Sequence, residues 1–107
     1  MKKVLSLATF ILLAVSSIAF AKEVILDVRT HQEFEQEHIP QALNIDIQNA
    51  NFKTEIAKLA KEDSYKLYCR SGRRSGLALS SMKEMGFKNL ENLGGLEDAK
   101  KTLKTSK

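Results

Sequence analysis

The chain has 107 residues, 43% of them hydrophobic, and a formal net charge of +4. That length allows one domain at most, and a modest charge spread along the chain excludes an extended nucleic-acid-binding face. Its only cysteine, Cys69, cannot form an internal disulfide.

In chain order the first element is a leader. Lys2 and Lys3 form a positive start, residues 4–14 are almost wholly apolar, and Ala19-Phe20-Ala21 has the small-x-small form of a cleavage site. Residues 1–21 are therefore expected to be a cleaved signal peptide that exports the protein to the periplasm. The remaining residues 22–107 form one domain of net charge +2, with no stable membrane association after cleavage. The alternative is a retained anchor, because residues 4–21 approach the length that spans a bilayer. The small-residue end favours cleavage, and no cysteine stands there to carry a lipid.

Val24-Ile25-Leu26, ending at Asp27, and Leu67-Tyr68, ending at Cys69, have the continuous apolar character of strands covered on both faces. Between them, Thr30 and Glu33 fit a capping box that opens a short helix, which His38-Ile39-Pro40 ends. Residues 42–47 alternate as a short strand. Asn51 is placed to cap a helix with Phe52, Ile56, Leu59 and Ala60 on one face. A third helix starts near Ser75, sets Leu77, Ala78, Ser81, Met82 and Met85 along one side, and ends at Gly86. Residues 89–93 form the next strand, followed by a Gly94-Gly95 turn and a final basic helix. This alternation predicts an α/β fold with a mostly parallel sheet and helices on both faces. Ligands in such sheets sit beyond the carboxyl ends of the strands, where Asp27, Arg29 and Cys69 fall.

A lone thiol sent into an oxidising compartment is either a buried small hydrophobe or a reactive group. The segment Cys69-Arg70-Ser71-Gly72-Arg73-Arg74-Ser75 joins a strand to a helix start. A thiolate there faces backbone N–H groups and the positive end of the helix dipole, Gly72 allows the curl, and the arginines add positive charge. The Cys69 pKa is accordingly expected to be depressed, leaving much of the residue as a nucleophilic thiolate. The same N–H groups suit a persulfide sulfur or an anion such as thiosulfate. If the segment were merely a solvated helix start, its cations would oppose the dipole by some tenths of a kcal/mol each, unless a bound anion or anionic side chain offset them.

Cys-Arg-Ser-Gly-Arg-Arg-Ser resembles the active-site loop of single-domain rhodaneses. Asp27-Val28-Arg29, Glu33-Phe34, His38-Ile39-Pro40 with Ala42, Asn44 and Ile45, and Leu93-Gly94-Gly95 resemble that family's other signatures in the same order. The match covers nearly all of residues 22–107 and is most like the small periplasmic members. It implies a rhodanese-like sheet of four to five strands. It further implies a sulfur-accepting Cys69, a substrate cradle of Arg70, Ser71, Gly72, Arg73, Arg74 and Ser75, and a supporting polar network that includes Asp27 and Arg29. The implied activity is thiosulfate sulfurtransfer to cyanide, a thiol or an acceptor protein by a ping-pong cycle that needs no cofactor. A persulfide carrier without turnover is the competing class. Rhodanese-fold phosphatases and arsenate reductases are similar too, but those phosphatases place arginine six residues after the cysteine, whereas Arg74 is five after Cys69. Glu37 and Gln41 stand where the family usually has glycine, Ala99 where many members have tryptophan, and the usual first strand is missing.

The remaining candidates have simpler explanations. His38 positions a turn, His31 lies on a helix surface, and two histidines with one cysteine lack metal-ligand spacing. Met82 and Met85 pack a core, and Lys100, Lys101, Lys104 and Lys107 form a solvated helix end.

Overall fold

The computed structural model describes residues 21–105. Apart from Ala21, the expected leader lies outside the described residues, as does Lys107 of the basic end. Among the described residues no helix is long and apolar enough to cross a membrane.

Strands and helices alternate as β1 (Glu23–Asp27), α1 (His31–Gln36), β2 (Leu43–Asn44), α2 (Phe52–Ala57), β3 (Ser64–Cys69), α3 (Arg73–Glu84), β4 (Asn89–Gly95) and α4 (Leu96–Thr105). The four strands pair in parallel in the order β2-β1-β3-β4, as expected of this α/β pattern. Successive strand residues point to opposite faces and so feed two cores. Leu26, Val28, Tyr65, Leu67 and Cys69 join Phe52 and Ile56 of α2 and Ala78 and Met82 of α3. Tyr68 and Leu93 meet Ile39 and Ala99 on the other face, with Ile25 and Leu103 packed against them.

The capping box forms as read: the Thr30 hydroxyl accepts from the Glu33 amide at 3.2 Å and the Glu33 carboxylate accepts from the Thr30 amide at 3.1 Å. Other expectations need correction. Of residues 42–47 only Leu43–Asn44 is strand, although the Ile45 and Ile47 amides still bond to the carbonyls of Asp27 and Val28. Asn51 occupies the N-cap position of α2, but its side chain makes no capping bond, because its backbone (φ −87°, ψ 5°) is already turned towards helix instead of extended. Helix α3 starts at Arg73, ahead of Ser75, with Gly72 as N-cap at φ 97°. Its buried face is Ser75, Ala78 and Met82, which leaves Leu77 59% exposed.

Gly94 and Gly95 do not form a turn. They end β4 past a bulge in which Leu67 pairs with Asn92 but Tyr68 pairs with Gly94, so Leu93 is the extra residue. Gly94 takes φ 93° there, and Cys69 pairs with Gly95. Of the two positions where glycine was expected, Gln41 does adopt the left-handed region at φ 71°, at a cost of about 1–2 kcal/mol. Glu37 is extended at φ −167° and needs no glycine.

Gly95 sits directly under the loop that follows Cys69. A Cβ at this position would lie 2.3 Å from the Arg70 carbonyl oxygen and 3.0 Å from its carbon, both backbone atoms. Gly95→Ala is therefore expected to lower stability by about 2–3 kcal/mol, read as a lower urea midpoint.

Candidate active site

Cys69 is the last residue of β3 and is fully buried, at 0% exposure. The chain after it curls back over the sulfur. The Gly72 amide donates to Cys69 Sγ at 2.9 Å and the Ser75 hydroxyl lies 3.4 Å from it. Burial pushes the thiol pKa up, and hydrogen bonds from the Ser75 hydroxyl and from the backbone N–H groups of Ser75, Ser71 and Gly72 push it down. The hydrogen bonds win, and the thiol lies below its ordinary value, as read from the loop sequence.

The arginines contribute differently from one another. Arg74 forms a two-pronged ion pair with Glu33 of α1, Nη1 to Oε1 at 2.7 Å and Nη2 to Oε2 at 3.1 Å. The hydrogen bonds from Arg74 hold the Glu33 carboxyl at about 2, against the opposing effect of burial and with further help from Thr30. Arg74 remains within electrostatic reach of Cys69. Arg70, Ser71 and Arg73 are exposed on the outer side of the loop. A groove of about 450 Å³ opens beside them, lined by Ile47, Gln48, Ser71, Arg73, Arg74 and Leu77. The cations at the start of α3 are thus offset in part by Glu33, the anionic side chain that the helix dipole calls for.

Asp27 and Arg29 are brought near the loop but not into it. Arg29 Nη2 donates to Asp27 Oδ2 at 2.8 Å and to the Glu37 carbonyl at 2.6 Å, while Nε bonds both carboxylate oxygens at 3.1 Å. The guanidinium lies 5.5 Å from the centre of the Tyr68 ring, whose hydroxyl accepts from the Ile39 amide at 3.0 Å. This buried pair fixes the end of β1 and the 37–39 connection against the strand that carries Cys69. His38 bonds the Phe34 carbonyl at 2.7 Å and stacks on the Phe34 ring, consistent with a turn-positioning role. Lys100 belongs to no free solvated end, since it pairs with Glu37 and Glu97.

Two residues at the site were not singled out for it from sequence. Glu33 was legible as a cap and in the Glu33-Phe34 resemblance, but not as the partner of Arg74. Asn92, in an exposed strand position, bonds Ser75, the Gly72 carbonyl and the Gly94 amide. No local signal marks either role, because both partners lie far along the chain.

A parallel sheet with a cysteine at the carboxyl end of a central strand, its sulfur facing the amides of a loop that opens a helix, defines a domain built to stabilise a thiolate. Comparison with known proteins assigns the family. The rhodanese-like domain family matches residues 14–102. Thiosulfate sulfurtransferase PspE of Escherichia coli is 40% identical over 79 residues, covering 74% of this chain and 76% of that protein. The putative sulfur carrier protein YrkF of Bacillus subtilis is 38% identical over 69 residues, covering 64% of this chain and 36% of the relative. A solved structure of an E. coli rhodanese with anions superposes with a TM-score of 0.62 at 39% identity, covering 71% of this chain and 89% of that one. The chain belongs to the rhodanese family.

Two outcomes follow from these interactions. Ser75→Ala removes a donor to the sulfur, so the pH midpoint of Cys69 alkylation by iodoacetamide should rise towards that of an unperturbed thiol. The Glu33 carboxyl is lowered from 4.5 to about 2 on folding, so its contribution is complete above pH 4.5 and is lost as pH falls towards 2. Its side chain is 25% exposed, and after discounting for solvent screening the contribution is about 1–2 kcal/mol. Urea unfolding across that window should show the loss in the wild type and a flatter acid limb in Glu33→Gln.

Proposed function

We propose that the protein is a thiosulfate sulfurtransferase in which Cys69 is the nucleophile. The Cys69 thiolate attacks the outer sulfur of thiosulfate; a new S–S bond forms, the S–S bond to sulfite breaks, and sulfite leaves with the electron pair. Cyanide or a thiolate then attacks the outer sulfur of the Cys69 persulfide. Thiocyanate or an acceptor persulfide departs, and the Cys69 thiolate is restored. The cycle is ping-pong and redox-balanced without a cofactor.

The amides of Ser71, Gly72 and Ser75 hold the thiolate and then the persulfide sulfur, while Arg70, Arg73 and Arg74 attract thiosulfate and stabilise departing sulfite. Asp27 and Arg29 support the loop from behind. The observation that carries this reading is the Gly72 N–H aimed at Cys69 Sγ at 2.9 Å. It is supported by a relative named as a thiosulfate sulfurtransferase at 40% identity. With residues 1–21 removed as a signal peptide, residues 22–107 would be a single periplasmic domain, and its donor and acceptor would be met there.

A second reading has one specific observation behind it, the similarity to a putative sulfur carrier. In that case Cys69 is loaded and passes sulfur to a partner protein without rapid turnover. Thiosulfate:cyanide turnover measured beside single-turnover loading separates the two. A catalyst gains the mass of one sulfur atom on Cys69 and turns over, whereas a carrier gains the mass only. Cys69→Ser should lose both loading and turnover outright, and retained activity would refute the assignment.

A further inference from the structure

The Ser75 hydroxyl lies between two acceptors, 2.7 Å from Asn92 Oδ1 and 3.4 Å from Cys69 Sγ, and it has one proton to donate. The orientation of the Asn92 amide follows from its other contacts. Its Nδ2 donates to the Gly72 carbonyl at 3.1 Å and its Oδ1 accepts from the Gly94 amide at 3.0 Å. The atom facing Ser75 is thus an oxygen, which only accepts. At 2.7 Å it takes the serine proton and leaves hydroxyl lone pairs towards the sulfur. A thiol fits that arrangement, because its S–H donates to the lone pairs. A thiolate does not, because it needs the proton that Asn92 holds.

We propose that Asn92 is a positioning residue that competes with the Cys69 sulfur for the Ser75 hydroxyl proton, and so sets the balance between the resting thiol and the thiolate. On ionisation the Cys69 proton goes to solvent and the hydroxyl rotates from Asn92 Oδ1 to Sγ. One hydrogen bond breaks and one forms. Asn92 Oδ1 keeps the Gly94 amide and is not left unsatisfied.

Of the charged groups near the site, Arg74 of α3, backed by Glu33 of α1, acts electrostatically on Cys69. Arg70 in the loop and Arg73 at the start of α3 are exposed, Asp27 and Arg29 of the β1 end pair with each other, and Asp98 of α4 lies below Gly94. Among the described residues the Ser75 hydroxyl bonds only Cys69 and Asn92, so none of these charged groups bonds this hydroxyl. The consequence for catalysis rests on Cys69 being the nucleophile. The titration of its thiol does not.

The test is the pH dependence of Cys69 alkylation by iodoacetamide in the otherwise unaltered chain. Asn92→Ala frees the hydroxyl proton, so the midpoint should fall, with roughly three- to tenfold faster alkylation on the acid side. In a Ser75→Ala background the same substitution should change nothing, a non-additivity that identifies the shared proton. If Asn92 serves only to hold the loop, Asn92→Ala loosens the amides and the midpoint rises. A rise, or no change, overturns the proposal. Asn92→Asp keeps a stronger acceptor against Ser75, so its midpoint should rise, and by less once Ser75 is alanine; a shift of the same size in both backgrounds also overturns it. Loss of sulfurtransferase activity with these titrations intact would count against the proposed reaction and leave the proton competition standing.

Discussion

The close approach of the Cys69 loop to the end of β4 is the constraint on which the site depends. Gly95 lies where any Cβ would strike the Arg70 carbonyl, and a Cβ on Gly72 would come within 3.2 Å of Gly94 Cα. Backbone against backbone, the loop has no room to spread outwards and must turn over the sulfur. The left-handed Gly72, at φ 97°, makes that turn and brings its own N–H to Sγ. The β4 bulge supplies the matching floor, since the extra residue Leu93 shifts the register so that Cys69 pairs with Gly95.

Electrostatics then decide what the loop is able to hold. Arg73 and Arg74 open α3 where the helix dipole is already positive, an arrangement that favours a nearby negative charge. Glu33 supplies one through Arg74 while also closing the α1 capping box, so one carboxylate ties two helix starts together. The sulfur itself is served mainly by neutral groups, backbone amides with the Ser75 hydroxyl within reach, which favour its charge. Burial alone would have made Cys69 an inert core thiol; the donors reverse that outcome.

Much of this was legible locally. The apolar runs ending at Asp27 and Cys69, the Thr30–Glu33 box and the Gly86 stop all depend on neighbours a few residues away, and each appears where it was read. The misreadings share a cause. Gly94-Gly95 has the composition of a turn, and only the register against β3 makes it strand. Leu77 has helical spacing for the core, yet the helix rotates about Ser75, Ala78 and Met82 because Ser75 is drawn inward to the sulfur and Asn92. Asn51 has the right side chain for a cap and the wrong backbone to use it.

The amino-acid sequence by itself determined the α/β alternation, the position of the lone cysteine at a strand end and the cationic glycine-containing loop after it, because periodicity, capping and turn chemistry act over short chain distances. Only the tertiary structure decided which donors reach the sulfur, that Glu33 claims Arg74, and that Asn92 bonds the Ser75 hydroxyl. The Glu33–Arg74 and Ser75–Asn92 contacts join residues 41 and 17 positions apart and are set by how α1 and β4 pack against the loop. The donors at the sulfur are near in sequence, and only the curl of the loop aims them.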